Sequence, residues 1–447
     1  MFSRKGTFVG ILLSLSLGCV IFLGASYVTE NTRINNELTF KADDGLGSDI
    51  QVYIQSDQLG DKISEYAVKT METISGIDEM HPVRYLLGEI PFDDGTFGWP
   101  EYFAETANDK SFLPDQEIME KYNGVALKTG EDDYKIKVNI YGYDDKMLED
   151  MNDYLLSGEI NPDKMRKENS VIFKTLMDGQ GNYDGVDVKP GDEITLTTVK
   201  NDMVPQDALR FKGNQNWYQN KSLKVSALAS RPLAKVDTFI GDGGDTCIDI
   251  IMTNEQMERN FGVKDYQTIS ISVKSDKDAI NVSKKLGVIT KNINKCVVKD
   301  YSEQIKQQNL YLAQKMFFYY GIAAVLLGIS LLHMINSMHY LIAARKREFG
   351  ILRAMGITDV GFRKMIAKEG LRYGIFSGIA VICIYLVIQK ILHYFLVHVY
   401  LYLHPKAFIS WEFLAIVVLL NIVICVGVTA LSGRTILKEQ IIEEIGE

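Results

Sequence analysis

Apolar and polar residues follow one another along this chain on two scales. On the long scale, four runs carry no Asp, Glu, Lys or Arg, or almost none: Gly6–Thr29, Met316–Ala344, Tyr373–Pro405, broken only by Lys390, and Phe413–Gly433. A helix of about 20 apolar residues crosses the hydrocarbon core of a bilayer. Each run therefore predicts a membrane-spanning helix.

Between the first and second runs the pattern shortens. Asp49–Gln55 alternates apolar and polar residues as a half-buried strand does, and Asp61–Ile74 repeats its apolar positions at helical spacing before Gly76. The same order returns in Thr268–Val273 and Asp276–Leu286, closed by Gly287. Two strand–helix units so far apart predict one α/β domain split by an insertion of about residues 91–235. Within the insertion, Lys135–Tyr141, Ser170–Phe173, Glu193–Val199 and Leu223–Ala229 read as strands, and Lys146–Leu156 as a helix ended by Gly158. Lys189–Asp192 is a turn signal, and Asp202–Ser222 reads as an irregular loop holding Trp217 and Tyr218.

Lysines and arginines of short loops stay on the cytoplasmic side of a membrane. Arg4 and Lys5 precede the first run. Arg345, Lys346, Arg347, Arg353, Arg363, Lys364 and Lys368 lie between the second and third, and Arg434 and Lys438 follow the fourth, whereas the short loop between runs three and four offers only Lys406. Both termini are thus expected in the cytosol of a bacterial cell, with residues 30–312 outside the plasma membrane. The fold class expected is an α-helical membrane protein with four transmembrane helices, one plus three, and a large α/β extracytoplasmic domain inserted between helices 1 and 2. Its parts are helix 1 (1–29), the outer domain (30–312), helix 2 (316–340), a cytosolic segment (341–369), helix 3 (370–396), helix 4 (411–433) and a cytosolic tail (434–447). Residues 299–315, polar, helical in pattern and free of Gly and Pro, predict a stalk running into helix 2.

Charge supports this division. Residues 30–312 hold 49 of the 57 acidic and 33 of the 48 basic residues, a net of −16, which leaves +7 for the rest. Acidity without a basic patch argues against nucleic acid as a partner. Of five cysteines only Cys247 and Cys296 fall in the outer part, leaving either one bridge or two free thiols. Chemistry-bearing motifs are missing from the sequence: it contains no G-x-x-x-x-G-K-[ST], H-E-x-x-H, G-x-S-x-G or Cys/His cluster at zinc spacing. The turn Gly241–Asp245 lacks the ligand spacing of a calcium loop. An enzyme is not expected, and no catalytic, metal or cofactor-binding residue is assigned.

The remaining candidate is the basic segment Ala343–Glu369 between two spans. Its first part, Leu341–Met355, reads as a helix broken at Gly356 and Thr358, with Phe349, Leu352 and Met355 on one apolar edge and Arg347, Glu348 and Arg353 available for ion pairs. Apolar anchors at such spacing suit a groove on a partner protein.

Ser337–Glu369, with RKREFGILRAMGIT at its centre, resembles the signature of the FtsX-like permeases of ABC transporters, the MacB-type group. The matching positions are Arg347, Glu348, Gly350, Ile351, Arg353, Ala354, Met355 and Gly356, with Glu369 at the start of the third span; Phe349 replaces a commoner Ile. The resemblance implies a permease subunit that docks a separate ABC ATPase through Arg347, Glu348, Phe349, Gly350, Leu352, Arg353, Ala354, Met355 and Gly356. ATP and magnesium would then bind in that partner, and a second permease copy or homologous half would pair with this one. It further implies mechanotransmission to the outer domain, to export or remove a peptide, antibiotic or lipid-linked substrate, as in antimicrobial peptide resistance. Regulation of an extracytoplasmic cell-wall hydrolase, or ligand sensing, are the alternatives. Family members begin with an amphipathic helix before the first span, whereas Met1–Gly6 alone precedes it here. That difference implies half of a longer permease, or a partner that supplies the helix.

Overall fold

The computed structural model describes residues 5–42, 48–56, 58–93, 96, 126–128, 133–176, 183–200, 205, 208–209, 211, 214–234, 248–408 and 411–437. The turn at 241–245, Cys247 and the tail beyond residue 437 lie outside the described residues. The chain divides into two compact units, 37–309 and 1–36 with 310–447.

The α/β unit is built from β1 (Ile50–Ile54), α2 (Glu65–Glu72), β2 (Ile77–Asp93), β3 (Ala126–Lys128), β4 (Asp133–Tyr143), α3 (Asp145–Asp150), β5 (Leu155–Gly158), α4 (Pro162–Glu168), β6 (Ser170–Lys174), β7 (Glu193–Val199), β8 (Tyr218–Ala229), β9 (Ile248–Thr253), α5 (Asn254–Phe261), β10 (Thr268–Val273), α6 (Asp276–Thr290) and β11 (Cys296–Asp300). The helix preceding them, Lys5–Ala42, is α1.

β2 serves two sheets. Its first residues, Ile77–Val83, pair antiparallel with β10, which continues to β1 and β11. From Arg84 onward it pairs with β4 instead. Pairings β2–β7, β7–β8, β8–β6, β6–β9, β9–β4 and β4–β2 then return to the starting strand, a closed ring of six. Closure removes the unpaired edges that invite aggregation. The handover falls at Val83–Arg84, and the chain comes back between Phe261 and Thr268, so the inserted part is wider than residues 91–235. No turn marks the first crossing, because one continuous strand makes it.

Each sheet has its own core. α2 and α6 cover the β11–β1–β10 sheet with Val68, Met71, Val282 and Leu286 against Val52, Ile269 and Ile271. Ser64 caps α2 by accepting from the Ala67 amide at 3.3 Å, and the Thr253–Gln256 capping box starts α5. The ring strands carry the second core, in which Tyr85, Val138, Ile140, Phe173, Val225 and Ile250 are all buried. Arg84 stands at the handover, where its guanidinium donates to the carbonyls of Lys264 and Asn254. The helix expected over Lys146–Leu156 ends early: α3 stops at Asp150, a 3-10 turn spans Met151–Tyr154, and β5 pairs with β8. Tyr218 is buried, stacked on Phe211 at 5.5 Å and donating to the Ala208 carbonyl; both side chains belong to this second core, and Trp217 packs against it. Cys296 carries a free thiol, pushed up to about 11 by burial.

The second unit contains most of α1, α7 (Ser302–Ala343) from Leu310 onward, α8 (Lys346–Ala354), α9 (Asp359–His398) and α10 (Trp411–Leu437). Among the described residues, three helices are long and apolar enough to cross a membrane: Ser302–Tyr340, Asp359–His398 and Trp411–Arg434. Side chains before residue 16 of α1 lie outside the described residues, so the fourth expected span is not among those three. At 1.5 Å per residue, the 40 residues of α9 measure about 60 Å, twice a hydrocarbon core. Its first ten residues, which hold Arg363, Lys364 and Lys368, are surplus to a span.

α9 and α10 pack closely because α9 presents Gly370, Gly374 and Gly378 on one buried face. A Cβ on Gly370 would lie 2.0 Å from Thr429 Oγ1, and one on Gly374 2.9 Å from the Ile422 backbone. Asn421, buried within α10, donates to Ser377 Oγ at 3.0 Å. Small residues and interhelical hydrogen bonds are what associates helices in lipid, where apolar burial offers little.

Candidate functional site

The segment between α7 and α9 is set by three backbone events. α7 ends at Ala343, and Arg345 adopts a non-helical conformation (φ −110, ψ 11) before α8 begins. Gly356, at φ +95, ends the next turn in the left-handed region that glycine tolerates without Cβ strain. Thr358 then caps α9, accepting from the Gly361 amide at 3.2 Å. The helix expected over Leu341–Met355 is thus broken at Ala344–Arg345.

The break turns α8 so that Phe349 faces inward. Phe349 is 1% exposed and meets Phe362 edge-on, at 5.6 Å and 86°. Ile342 and Ile366 complete the buried cluster, and Leu352, Ile357, Met365 and Leu437 pack around it. Arg345 ties the same elements by charge. Its Nε donates to Glu348 Oε2 at 2.8 Å, and its Nη1 donates to the Glu369 carboxylate, which is only 12% exposed; the guanidinium also lies 5.0 Å from the Phe349 ring centre.

This arrangement corrects the apolar edge expected of Phe349, Leu352 and Met355. Phe349 cannot anchor a partner, because the chain's own Phe362 and Ile366 cover it, and Gly350 is buried with it. On α8 and its end the exposed apolar side chains are Ile351, 46% exposed, and Met355, 71% exposed, one helical turn apart, with exposed Ala354 and Gly356 beside them and exposed Val360 at the start of α9. Arg347, Glu348, Arg363 and Lys364 are exposed around it, while Arg353 and Leu352 are half-buried. Arg345 links Glu348, Glu369 and the Phe349 ring, although the pattern of apolar positions gave no signal for it. Its spacing of three from Glu348 is the one hint a sequence offers.

Comparison with known proteins identifies the segment. Residues 320–441 match the family described as FtsX-like permease C-terminal.

The chain carries an FtsX-like permease domain. This region includes the whole of α8 and α9 and the signature Ser337–Glu369, so the resemblance read from those residues holds. An uncharacterized ABC transporter permease of Methanocaldococcus jannaschii is 29% identical over 182 residues, 39% of this chain and 45% of that protein. The match thus spans less than half the length of that relative. Among solved structures, the extracellular domain of the noncanonic ABC-type transporter YknZ from Gram-positive bacteria aligns at a TM-score of 0.30 and 10% identity, over 56% of this chain and 99% of that one. The periplasmic region of MacB from Actinobacillus actinomycetemcomitans aligns at 0.31 and 10%, over 60% and 96%.

Proposed function

We propose that this chain is the permease subunit of an ABC transporter that docks a separate ATPase through the exposed Ile351–Met355 face of α8. The observation that carries this reading is the double attachment of α8 to the start of α9. Phe349 is packed on Phe362 and Arg345 is bonded to Glu369, so a push on α8 is delivered to a 40-residue helix. Apolar anchors flanked by cations suit a groove on a partner, and the apolar contacts contribute more than exposed ion pairs, worth about 0–1 kcal/mol each.

In this reading ATP and magnesium bind the partner, and both termini and the α8 segment lie in the cytosol with four spans in the membrane. A second permease copy or homologous half completes the transporter, which exports or removes a peptide, antibiotic or lipid-linked substrate. The acidity of residues 30–312 favours a cationic one. α7 serves as the transmitting element. Its root is tied to the α/β unit, where the Tyr301 amide donates to the Asp49 carbonyl at 2.8 Å, and the helix is unbroken to Ala343.

Co-purification with a co-expressed candidate ABC ATPase tests docking. Met355→Asp should abolish the complex while the protein stays monodisperse; an intact complex would overturn the docking face. Inserting Gly-Gly after Gln307 should leave the complex intact and remove any dependence of ATP turnover on the outer domain. Unchanged dependence would rule out α7 as the transmitter.

A further inference from the structure

The helical unit contains a cavity of about 240 Å³ that docking and transmission do not use, bounded by Ser26 and Glu30 of α1, Tyr320 of α7, and Lys406, Phe408 and Phe413. Its position is fixed by a latch. Lys406 lies in the turn between α9 and α10, and α1 captures both of its backbone polar groups. Its amide donates to Asn31 Oδ1 at 2.7 Å and its carbonyl accepts from the Tyr27 hydroxyl at 2.8 Å. Asn31 is itself held, donating to the Tyr27 carbonyl at 3.0 Å.

Three kinds of chemistry meet in this cavity. At the mouth, the Lys406 ammonium stands 3.6 Å from Glu30, which also accepts from Arg33 at 2.8 Å. The bond from Arg33 holds the Glu30 carboxyl below the usual carboxylate range, so it is ionised at neutral pH. On one wall are the rings of Phe408 and Phe413, the latter 5.8 Å from Phe22. The third group is Ser26, 3% exposed, whose hydroxyl has no hydrogen-bond partner. A buried hydroxyl left unpaired costs the full desolvation of that group, so an unpaired one in a cavity wall calls for a ligand acceptor.

Location narrows the ligand. Glu30 is the first charged residue after the uncharged run Gly6–Thr29, where an apolar environment gives way to a polar one. A carboxylate and an ammonium a few ångströms apart, with aromatic rings beside them, complement a molecule that carries a cation and an anion close together on an apolar tail. A purely anionic headgroup would face the Glu30 carboxylate with no cation to offer.

We propose that this cavity binds the headgroup of an amine-bearing phospholipid, with its phosphate on Lys406 and the Ser26 hydroxyl, its ammonium on Glu30, and its tail along Phe408 and Phe413. The site needs neither the ATPase nor the docking face, so it stands or falls independently of them.

The test is native mass spectrometry of the detergent-purified full chain, titrated with short-chain phosphatidylethanolamine, short-chain phosphatidylglycerol and free phosphoethanolamine. Phosphatidylethanolamine should be retained at roughly tenfold lower concentration than phosphatidylglycerol, the scale of one charge-assisted hydrogen bond. Glu30→Gln should erase that preference. Free phosphoethanolamine should bind more weakly than the lipid, because it lacks the part that Phe408 and Phe413 contact. Ser26→Ala should weaken lipid retention yet leave the lipid-free melting temperature unchanged or raised, since it removes an unpaired buried hydroxyl; a hydroxyl that merely packs would lower it. Equal retention of the two lipids, wild-type retention by Ser26→Ala, or equal binding of lipid and free headgroup would each overturn the proposal. If Glu30→Gln does not fold, the Ser26→Ala comparison and the two-lipid comparison decide it.

Discussion

Arg345 and Glu369, 24 residues apart in sequence, are bonded side chain to side chain across the turn that joins α8 to α9. The pair spans both backbone breaks, at Arg345 and at Gly356, and adds a second tie between α8 and α9 beside the Phe349–Phe362 contact. Removing either partner should loosen that turn. In a thermal-stability cycle on the purified protein, Arg345→Ala and Glu369→Gln should be non-additive by about 1 kcal/mol, the low end for contacting residues because Arg345 is partly exposed. Additive effects would show that the bond does not hold the turn.

Phe349 and Met355 should separate stability from docking. Phe349→Ala empties a buried site against Phe362 and should cost about 3 kcal/mol or more of stability. Met355→Asp alters an exposed side chain and should leave the melting temperature within about 1 °C while abolishing ATPase capture. Reversed outcomes in melting and pull-down measurements would put the docking surface on the wrong face.

The glycine face of α9 should be intolerant of even one methyl group. Gly370→Ala places a Cβ against Thr429 and should destabilise α9–α10 packing by about 1–3 kcal/mol, read as a lower melting temperature in detergent. Thr429→Ala in the same protein should recover part of that loss. Failure to recover would mean the clash lies elsewhere, the Cys425 carbonyl being the next atom in reach.

In the α/β unit, His81 Nδ1 lies 2.7 Å from Asp144 Oδ2, and Asp144 also caps α3 by accepting from the Met147 amide. Asp144 raises the His81 pKa above its ordinary value of 6.5, against the opposing effect of burial. The folded protein therefore holds this proton more tightly than the unfolded chain does. The stabilisation is complete below the unfolded pKa and is lost as pH rises through the folded one. The melting difference between wild type and His81→Gln should be largest near pH 5.5 and should shrink toward pH 8.5, values on either side of about 6.5. A difference independent of pH would remove His81 from the account.

Much of this protein is local and therefore readable in order along the chain. Apolar runs of span length, the alternation of β1 and β10, the caps at Ser64 and Thr358, and Gly356 at the end of its turn each depend on neighbours within a few residues. The charge asymmetry, −16 against +7, likewise needs no coordinates. So does the motif around Arg353 that marks the permease domain.

What the tertiary structure decided is which of those residues face which others. β2 is one continuous strand, and only its partners reveal that it leaves one sheet for another at Arg84. Phe349, Leu352 and Met355 share a helical spacing, but Phe362 and Ile366 arrive from α9 to cover the first, and only the folded chain shows that Met355 stays outside. Gly370, Gly374 and Gly378 acquire meaning from α10, and the Lys406 latch from α1, more than 370 residues earlier. Periodicity determines an element and its faces; burial of a face depends on distant segments whose packing no local pattern encodes.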